Sequence, residues 1–137
     1  MPTLEDVARL AGELPQVVQA ERRGLRTWSV GRTTFAWERP LTKADVRRLA
    51  GAPAPPGPLL AVRLADLHET QAVLAARDPG VFTIAHFDGY PAVLLELDVV
   101  SRAVLADVLL DGWAAAAPPA AVAAHRDRRR RARFRPI

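Results

Sequence analysis

Hydrophobic positions along this chain switch between a helical period and a period of two, and the switches divide it into elements. Leu4, Val7, Ala8, Ala11 and Leu14 recur at helical spacing behind Thr3, with Asp6 three residues after that threonine. This is the arrangement of a capping box with Asp in the usual Glu or Gln position. Gly12 weakens the helix and Pro15 stops it. Residues 17 to 24 read as a polar connection containing two consecutive arginines. From Leu25 the period becomes two: Trp28 and Val30 alternate with Thr27 and Ser29, Gly31-Arg32 offers a turn, and Phe35 and Trp37 alternate with Thr34 and Ala36. That pattern predicts a β-hairpin with the three rings on its core face. Pro40 ends the second strand, and Thr42-Lys43-Ala44-Asp45 repeats the capping pattern before a short helix through Val46, Leu49 and Ala50 that stops at Gly51. Residues 52 to 58 hold four of the chain's twelve prolines, a loop stiffened toward polyproline II geometry.

Residues 59 to 64 read as a third strand, and Asp66 is positioned to cap a helix carrying Leu67, Val73 and Leu74 that ends at Asp78-Pro79-Gly80. The stretch from 81 to 113 then organises the core. It reads as a strand, a polar turn at Asp88-Gly89, the strand 92 to 97, apolar except at Glu96, and a helix capped by Ser101. Val104, Leu105, Val108, Leu109 and Trp113 give that helix the cleanest 3.6-residue periodicity in the chain. Pro118-Pro119 closes a domain of residues 1–118, leaving residues 119–137 as an arginine-rich C-terminal helix or tail that needs a packing partner to be stable. Strands grouped by short turns, with helices between the groups, predict an α+β fold in the order α-β3-α-β2-α, its antiparallel sheet flanked by helices.

Composition narrows the function classes. The absence of cysteine removes disulfides, thiolate metal sites and cysteine nucleophiles, and suits a reducing cytoplasm. No signal-peptide pattern opens the chain and no run reaches the length of a membrane span, so a cytoplasmic protein without a membrane partner is expected. The net charge of +4 is very unevenly spread. Residues 125–137 carry seven arginines and one acid, a net +6, which leaves −2 for residues 1–124 with their 12 basic and 14 acidic side chains. The body is slightly acidic, and the basic character belongs to an appendage suited to a polyanion.

Candidate chemistry is sparse. There is no nucleophile elbow, phosphate loop, zinc-protease helix or dinucleotide fingerprint, so no enzyme activity and no cofactor are expected. His86, Asp88 and Tyr90 alternate and would place three polar side chains on one side of a hairpin, a conceivable ligand site; the alternative is a structural turn with local packing, and no metal site is expected. His68 adjoins Glu69 at helical spacing that points the two apart. Glu96 and Asp98 resemble paired carboxylates but read as a solvent-facing residue and a strand end. Trp28, Phe35 and Trp37 could stack on bases, although alternation assigns them to the core. The outward-pointing chemistry lies in Arg126, Arg128, Arg129, Arg130, Arg131, Arg133 and Arg135, whose guanidinium forks suit phosphate and which Asp127 alone cannot neutralise. They are the candidate contacts for nucleic acid, with a protein partner on the sheet face as the alternative.

In order and spacing, several strings resemble the MmcQ/YjbR family of small bacterial proteins. They are Gly24-Leu25-Arg26-Thr27-Trp28-Ser29-Val30 with Phe35-Ala36, Asp78-Pro79-Gly80-Val81-Phe82, His86-Phe87-Asp88-Gly89-Tyr90, the strand 92 to 97, and residues 105 to 113 with Ala117-Pro118. The resemblance spans roughly residues 3 to 118. It implies a curved antiparallel sheet flanked by helices, likened to a "double wing" DNA-binding motif and to secretion-chaperone-like folds, with DNA binding and no enzyme activity. The arginine-rich segment lies outside the resembling region, and the proline-rich 51 to 58 loop looks like a subgroup insertion.

Overall fold

The computed structural model describes residues 2–133. Helix α1 (Leu4–Gly12) starts as its sequence predicts. The Thr3 hydroxyl accepts a hydrogen bond from the Asp6 N–H at 3.2 Å, and the Asp6 carboxylate accepts from the Thr3 N–H at 2.8 Å. Thr42 and Asp45 repeat this box at α2 (Lys43–Arg48). Asp66 caps α3 (Leu67–Ala75), and the Ser101 hydroxyl caps α4 (Arg102–Ala116) by accepting from the Val104 N–H at 3.1 Å. Helix α5 (Pro119–Arg133) opens with proline at its first position, where the missing N–H costs nothing.

The strands are β1 (Val17–Arg22), β2 (Leu25–Val30), β3 (Thr33–Glu38), β4 (Leu59–Arg63), β5 (Val81–Phe82) and β6 (Ala92–Glu96). They form one sheet in the order β1-β2-β3-β4-β6-β5, with every pair antiparallel. The α+β class with an antiparallel sheet is therefore as expected, but the sheet has six strands where five were predicted. The addition is β1, which the sequence presented as a polar connection. It is an edge strand exposed at five of its six positions, so it carries no hydrophobic alternation to betray it. It turns into β2 through Arg23 and Gly24, both at positive φ, as a two-residue hairpin turn requires.

The central strands are buried on both faces. Leu60, Val62, Val93 and Leu95 point into a core shared with Val7, Leu105, Leu109 and Trp113 of the helices. Leu59, Ala61, Ala92 and Leu94 point the opposite way, into a smaller cluster with Ile84 and Phe87. This double burial explains the unbroken apolar run of residues 92 to 95, which alternation alone would not produce. Helix α4 lies close on the sheet at Gly112, where a Cβ would stand 2.6 Å from Val62 Cγ1 and 3.1 Å from the Arg63 carbonyl oxygen.

Two expectations are corrected. The segment before β6 keeps the expected turn at Asp88-Gly89, where the Tyr90 N–H donates to the Phe87 carbonyl at 2.9 Å, and β5 pairs antiparallel with β6, but the strand before the turn is cut short: β5 is only two residues long, and Ala85–Phe87 winds into a 3₁₀ turn. The reason is Phe87, which that turn drives into the second-face cluster, 5% exposed. Trp37 also leaves the core face predicted for it. A bulge between Trp28 and Ser29 shifts the pairing so that Trp37 stands opposite Thr27 and packs, half-buried, in the second cluster, while Phe35 and Ala36 both enter the main core. Arg39 closes that side, its guanidinium 5.9 Å from the Phe87 ring centre and 2.9 Å from the Asp45 carboxylate. Burial alone would raise the Asp45 carboxyl, but the Thr42 backbone N–H and the Arg39 guanidinium together hold it below the ordinary carboxylate range.

Candidate nucleic-acid interface

Helix α5 is built in two halves. Alanines at 120, 121, 123 and 124 favour the helix at its start, and arginines fill its end. The first half docks: Ala121 and Val122 pack against the main core. The His125 ring meets Trp113 edge-on, with centroids 5.0 Å apart and planes at 64°. Trp113 is itself fixed, because its indole N–H donates to the Pro15 carbonyl at 2.9 Å. One buried tryptophan thus ties the end of α1, the C-terminal part of α4 and the start of α5 together. The sequence placed His125 only at the border of the arginine segment, and its role as a docking residue had no signal beyond its spacing of three from Val122.

The second half presents charge. Arg126, Arg128, Arg129, Arg130 and Arg131 are all exposed. At 100° per residue they surround the helix instead of forming one stripe. Arg126 and Arg130 stand four residues apart, and this like-charged pair destabilises the helix by about 0.2–0.5 kcal/mol. Proximity to the C-terminal end of the helix dipole offsets part of that repulsion. Arg133 ends the helix, and Arg135 lies outside the described residues.

The charges nearby respond to this helix. Burial lowers the pKa of His125, and Arg129 and Arg128 lower it further. Burial raises the Asp111 carboxyl on α4, Asp107 raises it again, and Arg126 partly opposes both. A cleft of about 360 Å³ separates α5 from α1 over the floor of α4, lined by leucines 10, 14, 109 and 110 with Glu13, His125 and Arg129 at its sides.

Elsewhere, four of the twelve basic side chains of residues 1–124 are engaged with acids. Arg26 contacts Glu5 at 2.8 Å, Arg39 contacts Asp45, and Arg9 and Arg102 both reach Asp6. Among the described residues no ion pair includes an arginine of α5.

The other candidates separate. His86, Asp88 and Tyr90 are exposed, and the 3₁₀ turn removes the shared hairpin side that would have aligned them. Their neighbourhood is one of packing: the rings of His86 and Tyr90 lie 6.0 Å and 5.9 Å from that of Phe87, and Arg63 sits 5.9 Å over Tyr90. Among the described residues no three His, Cys, Asp or Glu side chains gather in a way that could hold a metal ion. Trp28 and Phe35 are fully buried, and the Trp28 indole donates to Gln19, so neither ring is a stacking platform for bases. No described helix is long and apolar enough to cross a membrane.

No protein-family model and no solved structure matches the chain. It is 41% identical over 121 residues to "Uncharacterized protein Rv2570" of Mycobacterium tuberculosis (strain ATCC 25618 / H37Rv), covering 86% of this chain and 91% of that protein. The same identity and coverage hold for "Uncharacterized protein Mb2600" of Mycobacterium bovis. With that identity sustained across nearly the full length of both proteins, the chain belongs to the family of Rv2570-like mycobacterial proteins.

Proposed function

We propose that this is a cytoplasmic, non-enzymatic nucleic-acid-binding protein of the MmcQ/YjbR type, in which arginines of α5 hold backbone phosphates. The observation that carries the reading is the second half of α5, with five exposed guanidinium groups and no ion-pair partner among the described residues. The element order, with three antiparallel strands after α1 and a covering helix after β6, supports the family assignment. Phosphate contacts of this kind position a protein on a duplex without reading its sequence. They would also relieve the repulsion between arginines one turn apart. A polyanion is thus favoured over an acidic surface patch, because a helix encircled by charge needs counter-charge on several sides.

Four or five such contacts give log K a slope of about −4 against log salt. Removing residues 125 to 137 is expected to abolish duplex binding at low salt. Because that deletion also removes His125 from Trp113, the sharper variant is Arg128→Gln/Arg130→Gln/Arg131→Gln, which leaves the docking contact in place. It is expected to reduce the slope by about 2 to 3. Unchanged binding in both variants would sink the mechanism.

A second reading is favoured by one observation. The β1–β2 half of the second sheet face is uncovered, with Val18 62% exposed beside exposed Ala20. A protein partner seated there would remain bound after nuclease treatment and at high salt, and would be lost in Val18→Arg.

A further inference from the structure

The loop between α2 and β4 has no part in the α5 mechanism, yet it is the most constrained irregular stretch of the chain. It runs Ala52-Pro53-Ala54-Pro55-Pro56-Gly57-Pro58. Proline fixes its own φ near −65° and drives the residue before it away from the α region. Every one of these seven residues is either a proline or immediately precedes one. All peptide bonds among the described residues are trans, and the loop contains neither helix nor strand. These constraints select polyproline II, a helix of three residues per turn rising about 3.1 Å per residue. Pro53 and Pro56 then share one edge, and Pro55 and Pro58 share another.

Both ends of the loop are held. The Ala52 N–H donates to the Leu49 carbonyl at 3.0 Å, and the Pro58 carbonyl accepts from the Leu97 N–H at 3.1 Å. Gly57 is packed so tightly that a Cβ there would overlap the Asp98 carboxylate. Between these anchors, the carbonyls of residues 53 to 57 accept no backbone hydrogen bond among the described residues. Pro55 is half-buried and lines a cleft of about 250 Å³ with Pro40, Leu41, Pro56 and Pro58, while Pro53, Pro56 and Pro58 are exposed to solvent. Helix α2 ends just upstream with Arg47 and Arg48, both exposed and outside the ion pairs among the described residues.

We propose that this loop is a preformed polyproline II ligand, docked through Pro53 and Pro56 into a partner protein whose groove is lined by aromatic rings and flanked by acidic side chains that meet Arg47 and Arg48. Proline rings pack flat on tyrosine and tryptophan faces, and the free loop carbonyls accept from indole N–H and phenol O–H groups. Because the ring constraints and anchors have already removed most of the loop's conformational freedom, little ordering entropy opposes the docking. A nucleic acid offers this ridge no matching groove, so the surface is separate from the arginines of α5.

The test uses the full chain and three isotope-labelled aromatic-groove domains, an SH3, a WW and an EVH1 domain, each titrated by NMR. At least one is expected to show saturable shifts in its groove aromatics below about 1 mM protein. Pro53→Ala/Pro56→Ala should weaken that binding by about tenfold or more, with an unchanged thermal midpoint showing that the domain is folded. Arg47→Gln/Arg48→Gln should weaken it about threefold at low salt. Arg128→Gln/Arg130→Gln/Arg131→Gln should leave it unaltered. Absence of shifts in all three domains, equal binding by the proline variant, or loss of binding in the α5 variant would each overturn the proposal.

Discussion

Helices α4 and α5 are both fifteen residues long and are separated only by Ala117 and Pro118, yet they are held by opposite means. In α4, Leu105, Val108, Leu109, Gly112 and Trp113 are buried, and the helix packs on three strands and on α1. In α5, no described side chain is fully buried, and its packing on the body runs through Ala121, Val122 and His125. The comparison teaches where each kind of sequence information is spent. Hydrophobic periodicity secures α4 whatever its surface carries. Helix α5 relies on alanine propensity and one aromatic contact, which leaves its second half free to be almost entirely cationic. Stability and outward chemistry are thus divided between neighbouring helices.

The largest effect expected from breaking this arrangement is Trp113→Ala, which removes a fully buried ring, the bond to the Pro15 carbonyl and the seat of His125 together. A loss of about 3–5 kcal/mol in denaturant unfolding is expected, whereas Arg130→Gln on α5 should stay within about 0.5 kcal/mol. Gly112→Ala comes next. The substitution improves intrinsic helix propensity, but the added methyl meets Val62 and the Arg63 carbonyl, and a net destabilisation of about 1–3 kcal/mol is expected. A stabilised protein would show that α4 can lift from the sheet.

The smallest effect concerns the docking of α5 itself. The His125 pKa is lowered in the folded chain, chiefly by burial and then by Arg129 and Arg128, with Glu13, just past α1, lining the same cleft and the neutral Trp113 of α4 against its ring. Above the ordinary histidine pKa the imidazole is neutral in both docked and undocked states, and docking is at full strength. As pH falls below that value the undocked state binds the proton first, so docking weakens progressively down through the folded pKa. Trp113 fluorescence should report this between about pH 7 and pH 5. His125→Phe should flatten the titration, and an equal titration in that variant would assign the change elsewhere.

Much of the fold was legible because several signals are local. The capping boxes at Thr3-Asp6 and Thr42-Asp45 need only three residues of separation, and α4 declared itself through its period. The misreadings share a different cause. Strand β1 is defined by what it pairs with, and its exposed side chains carry no record of that partner; Val17-Val18 followed by Arg23-Gly24 at a turn was the faint signal available. The turn at Ala85–Phe87 was hidden because Phe87 looked like one member of a strand, and only the second apolar face of β4 and β6 explains why it must point inward. In the candidate interface, the arginines were plain from composition. Their spread around the whole circumference of α5, and the Trp113–His125 contact that seats the helix, required the third dimension.

The bond from the Trp113 indole to the Pro15 carbonyl spans 98 residues of sequence. On a ribosome that emits the chain from its N-terminus, α1 is made first yet has no completed seat until α4 has emerged. During that interval the apolar side of α1 and the first strands stand open, and the edge presented by β1 is available to other chains. Slowing translation between β3 and α4 is expected to lengthen that exposure without altering the final fold.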